Sequence, residues 1–149
     1  MRLKTKRRAA QAAGFTLAEV VIASALAALS MAGIIYGYTQ SAKFAEFTSY
    51  SLAAQSMALQ RVEQCRASKW DPLGYPPVDE LVASNFNPQV NVLDIPISGT
   101  NIVYATNFTL ITTLATNPPL KLIRVDCVWP FLGRGLFTNS TVTYRAPDQ

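Results

Sequence analysis

Glu19 is the one charged side chain between Arg8 and Lys43, and it sits near the start of an apolar run that reaches Tyr38. A carboxylate in an apolar layer is expensive unless a positive group meets it, and ionisable residues in such places are usually paired and functional. The chemistry expected of Glu19 is electrostatic pairing, with snorkelling to an interface as the plainer role. Little else in the chain is reactive. It has no histidine, which removes the commonest general base and metal ligand. Two cysteines cannot make a tetrathiolate site. Asp71, Asp79, Glu80, Asp94, Asp126 and Asp148 lack the spacing of a calcium loop, and there is no Gly-rich phosphate loop. Asn107-Phe108-Thr109 and Asn139-Ser140-Thr141 match a glycosylation acceptor pattern, but chance matches are expected in Thr-rich strands. The sequence therefore points away from an enzyme and calls for no cofactor and no metal.

The element that must position Glu19 is the apolar run itself. From Phe15 to Tyr38 it would form a helix roughly 36 Å long, enough to cross a hydrocarbon core near 30 Å with some tilt. A removable secretory signal has a shorter apolar region with its small-residue site behind it; here the run is too long and Gly14 precedes it. Arg2, Lys4, Lys6, Arg7 and Arg8 stand before the run with no acid among them. Such cations stay inside, which sends the C-terminal part across the membrane. The formal net charge of +4 belongs to this leader. Without its five cations the chain has eight basic against nine acidic side chains, about −1, so no basic patch suggests direct nucleic-acid contact.

Gly14, Phe15, Thr16, Leu17 and Glu19 spell G-F-T-L-x-E, and with the basic leader and the long apolar run this stretch resembles the prepilin-type signal of the type IV pilin-like family. The resemblance covers about 25 residues. It implies a membrane peptidase that cuts between Gly14 and Phe15 and methylates the new N-terminus. Phe15 would then carry an amine four residues before Glu19, on the same helix face. In cis, Glu19 takes that amine and the positive end of the helix dipole. In trans, as the resemblance implies, it takes the amine of a neighbouring subunit and sets the axial step between them. Gly33 and Gly37 form a Gly-x-x-x-Gly pair that lets another backbone approach or weakens the helix, each glycine costing about 0.8–1.0 kcal/mol relative to Ala. Many family members loosen this region at a proline; here Tyr36 stands in that place.

The organisation expected along the chain is a cytoplasmic leader over 1–14, a transmembrane half-helix over 15–38 and a periplasmic domain over 39–149. Within the domain, 39–68 continues the helix, 69–100 is a variable Pro-rich loop region and 101–149 a β-meander. Stepping residues at 100° puts Ser51, Leu52, Ala58, Leu59, Val62 and Cys65 on one helical arc, with Met57, Gln60 and Gln64 opposite. Trp70-Asp71-Pro72 reads as the helix stop. The loop region is expected to hold a helical turn near Asp79 to Ala83 and a short strand near Val90 to Ile95. Alternation then places Tyr104, Phe108, Leu110 and Leu114 on one face of a strand and Thr109 and Thr113 on the other. It sets Ile123, Val125, Cys127 and Trp129 against Arg124, Asp126 and Val128, and puts Val142 and Tyr144 together. The fold class is α+β: one long N-terminal helix packed on an antiparallel meander of about three to four strands, which also resembles the pilin-like fold.

Cys65 and Cys127 both fall on faces turned into the same layer. An oxidising compartment would allow a disulfide between them, and two free buried thiols fit equally well. The function the resemblance implies is that of a structural subunit, a minor pilin or pseudopilin of a type IV pilus or a type II secretion pseudopilus. Its implied partners are the prepilin peptidase, other pilin or pseudopilin subunits, the inner-membrane assembly platform and membrane lipid. The alternative is a monomeric, single-pass, membrane-anchored periplasmic binding protein.

Overall fold

The computed structural model describes residues 14–95, 102–131 and 133–148. The leader before Gly14, and Pro96 and Gly99 of the loop region, lie outside the described residues. Helix α1 spans Leu17–Ala67, 51 residues. Strands β1 (Trp70–Asp71) and β2 (Val78–Asp79) form a small antiparallel hairpin. A single 3-10 turn at Ala83–Asn85 leads to β3 (Gln89–Asp94), β4 (Val103–Thr116), β5 (Pro119–Phe131) and β6 (Gly135–Arg145). These four make one antiparallel sheet in the order β3-β4-β5-β6.

The chain divides into two compact units, Met1–Lys43 and Phe44–Gln149. In the first, every described residue from Gly14 to Lys43 is exposed, and α1 is long and apolar enough there to cross a membrane. In the second, the part of α1 after Phe44 covers one face of the sheet, because each element has one apolar side to bury. The helix contributes Tyr50, Ala54, Ala58, Val62 and Cys65 to the core; the sheet contributes Ala105, Ile123, Val125, Cys127, Trp129 and Phe131. Phe47 packs at the edge of this core with ring centroids 5.3 Å from Trp129, 5.3 Å from Phe131 and 4.9 Å from Phe137. Phe47 is the first residue of α1 to pack against the core.

The buried stripe of α1 shares Ala58, Val62 and Cys65 with the expected arc and departs from it elsewhere. Tyr50, Ala54, Ala58, Val62 and Cys65 recur at four, four, four and three residues, whereas Leu52 and Leu59 are exposed and Met57 packs against the core. Hydrophobic size misled here: two alanines face the sheet because a small side chain lets helix and sheet approach closely. Polar bonds then fix the seam. Trp129 Nε1 donates to Asn139 Oδ1 (2.7 Å), Asn139 Nδ2 to Ser51 Oγ (3.1 Å), and Gln55 Nε2 to Thr141 Oγ1 (3.0 Å).

The helix ends at Ala67, and its last carbonyls are not left bare. Ser68 Oγ donates to Gln64 O (3.2 Å), and Arg145 Nη1 donates to Cys65 O (2.9 Å). Trp70 and Asp71 do not merely stop the helix; they form β1. The expected helical turn near Asp79 to Ala83 is β2 followed by the 3-10 turn. The strand expected near Val90 is β3.

On β4 the expected alternation of Phe108 and Leu110 against Thr109 is present, and its apolar face is the one turned outward. Tyr104, Phe108, Leu110 and Leu114 are exposed, while Ala105 and Asn107 are buried. Pairing explains this. Residues opposite one another share a face, and Asn107 pairs with Cys127, Thr109 with Val125 and Ile111 with Ile123. The inward parity of β5 therefore imposes an inward parity on β4, whatever the apolar content of β4's other face.

Candidate functional site

Gly14, Phe15 and Thr16 precede the helix in non-helical conformation, and all three are exposed. Helix α1 begins at Leu17, so Thr16 is its N-cap and Glu19 its third residue. Thr16 N donates to Glu19 Oε2 (2.8 Å), Thr16 Oγ1 donates to the same oxygen (2.8 Å), and Glu19 N donates to Thr16 Oγ1 (3.3 Å). This is a capping box, in which the cap hydroxyl and the carboxylate three residues on satisfy each other's free amides. Such a cap contributes about 1 kcal/mol to starting a helix.

Thr16 is the functional residue that sequence reasoning passed over. Its signal is Thr-x-x-Glu before an apolar run, which pairs Glu19 with an amide and a hydroxyl rather than with a cation. The geometry also leaves capacity. Both bonds that Glu19 accepts fall on Oε2, and among the described residues none reaches Oε1, so the carboxylate can take a further donor. A carboxylate offers about four lone-pair sites.

Gly33 and Gly37 lie in unbroken helix on an open surface, and a Cβ built at either would meet nothing within 4 Å. Among the described residues nothing requires glycine there.

Cys65 and Cys127 are free thiols, both buried in the one core. Burial pushes both thiols above their ordinary pKa, only partly countered at Cys65 by the charges of Arg61 and Arg145. They are poor nucleophiles as a result. The two glycosylation-type asparagines have structural places: Asn107 is buried, and Asn139 bridges Trp129 to Ser51. Among the described residues no group of three or more His, Cys, Asp or Glu is placed to hold a metal ion.

A buried lysine was also missed. Lys121 Nζ donates to Asp79 Oδ1 (2.7 Å), Asp79 Oδ2 (2.6 Å) and Leu81 O (2.6 Å), and lies 4.8 Å from the centroid of the Trp70 ring. It locks the β1–β2 hairpin to β5. Nearby, Asp148 closes the C-terminal segment on the same hairpin: its Oδ2 accepts from Trp70 N (2.8 Å), its N donates to Trp70 O (2.8 Å), and its Oδ1 accepts from Arg145 Nη2 (2.7 Å).

No family model, curated protein or solved structure matches this chain. The functional reading rests on the residues and their geometry.

Proposed function

We propose that the chain is the precursor of a structural subunit, a minor pilin or pseudopilin, that is cut between Gly14 and Phe15 and assembles through α1 into a type IV pilus or a type II secretion pseudopilus. The observation that carries the reading is the placement of Glu19. It is the only charge between Leu17 and Ala42, it lies in the first turn of a helix apolar enough to cross a membrane, and among the described residues its bonds fall on Oε2 alone. The Gly14–Phe15 bond lies just outside that helix on exposed chain, where a peptidase can reach it. Cleavage there creates an amine four residues before a carboxylate that the capping box already holds in position.

In this reading the leader stays cytoplasmic, the first half of α1 crosses the inner membrane, and the Phe44–Gln149 unit lies in the periplasm. The prepilin peptidase, the assembly platform, other subunits and lipid are its partners. The test is the mass of the protein recovered from membranes. Loss of residues 1–14 with gain of one methyl group supports the proposal; an intact N-terminus favours a monomeric anchored binding protein. Glu19→Ala adds a second arm: processing should continue while incorporation into filaments falls. Unchanged incorporation would remove the registering role.

A further inference from the structure

The outer face of the four-stranded sheet, turned away from α1, is apolar. Val90, Tyr104, Phe108, Leu110, Val142 and Tyr144 stand on it, each between 46% and 63% exposed. Together they present on the order of 600 Å² of apolar surface, the upper end of what a monomeric domain shows as its largest patch. With the polar side chains among them the face approaches the roughly 800 Å² per partner of a standard protein interface.

Two charges interrupt the face, and they are opposite. Arg124 Nε donates to Asp126 Oδ1 (2.9 Å), two residues apart on the same strand. Each cross-strand row joins them to the apolar set: Leu110 and Val142 flank Arg124, while Phe108 and Ser140 flank Asp126. Ser140 Oγ also donates to Asp126. Burial alone would raise the Asp126 pKa, but the bonds from Ser140 and Arg124 and the charge of Arg124 outweigh it and hold the carboxyl below its usual range.

We infer that this face is the interface with a second copy of the same chain, two sheets packing face to face. The charge pattern selects that occupant. A twofold axis lying between the sheets, perpendicular to β5 at the level of Val125, sets Arg124 of each copy opposite Asp126 of the other. Leu110 of each copy then meets Phe108 of the other, Val142 meets Ser140, and one ion pair within each chain becomes a four-charge cluster shared by both. Isologous contacts require such self-complementarity. Sheets packed this way lie about 10 Å apart with their side chains interdigitated. The inference concerns the Phe44–Gln149 unit and stands whether or not the leader is removed.

The experiment uses the full-length chain in native membranes, with Val142→Cys on the outer face and a short bismaleimide crosslinker, the native thiols being buried. A crosslinked species of twice the chain mass is expected. Arg124→Asp or Asp126→Arg alone should cut its yield roughly tenfold or more, because like charges would then face each other across the axis. Coexpressing the two single variants should restore it as a mixed dimer. The swap of both residues within one chain should also restore it, which covers the case of a single variant that does not fold. No crosslinked dimer, an adduct of a different mass, or a dimer indifferent to these charges would overturn the inference, the second in favour of another protein partner.

Discussion

Lys121 and Asp79 form one ion pair whose two ends are unequally buried, and this asymmetry predicts unequal costs of removing them. The lysine side chain is 7% exposed and the aspartate 42%. Asp79→Ala would leave a buried ammonium with only Leu81 O and the Trp70 face. Breaking a fully buried pair from one side costs about 3–5 kcal/mol, and partial water access at Asp79 places this case near the lower bound, at about 3. Lys121→Met keeps the volume and leaves a carboxylate that water already reaches. Its main cost is the unpartnered Leu81 carbonyl, about 1 kcal/mol or slightly more. The double variant should therefore be no less stable than Lys121→Met alone. The assay is urea unfolding of the full chain in mild detergent, followed by tryptophan fluorescence. Both tryptophans, Trp70 and Trp129, lie in the Phe44–Gln149 core, so the signal reports that unit. Equal losses for the two single variants, or a larger loss for Lys121→Met, would refute the argument that the buried ammonium is the expensive member.

Two further outcomes follow from the same core. The Asp148 carboxyl is held below its usual range, first by the hydrogen bond from the Trp70 amide, then by the bond from Arg145. A depressed carboxylate pKa stabilises the fold above the unfolded value near 3.9 and loses that contribution as pH falls through the folded value. Acid unfolding of Asp148→Asn should accordingly be less steep below about pH 4 than that of the parent, as read by the same fluorescence. The thiols of Cys65 and Cys127 should both stay unmodified by a water-soluble maleimide in the folded chain and react only in denaturant. Mass spectrometry counts the adducts, and labelling of folded protein would contradict their burial.

The sequence was most legible where one periodicity dominated. The alternation of Ile123, Val125, Cys127 and Trp129 marked the inward face of β5, and the unbroken apolar run marked the first half of α1. The architecture, a long helix over an antiparallel sheet, followed from those two signals. The cap at Thr16 was equally legible, since it depends on residues three apart. The sequence was less legible where apolar residues do not face the core. On β4 the larger side chains point outward, and on α1 the leucines point away while alanines pack.

By itself the sequence determined what depends on near neighbours: where α1 starts, how far its apolar half extends, that Glu19 stands alone in it, and which side of β5 is buried. Only the tertiary structure decided which side of β4 turns inward, because that parity is set by the register with β5 rather than by composition. It likewise decided that Lys121, placed by parity among buried residues, is met by Asp79, 42 positions away. A buried charge needs a partner wherever the chain can bring one, and that distance is closed only by the completed fold.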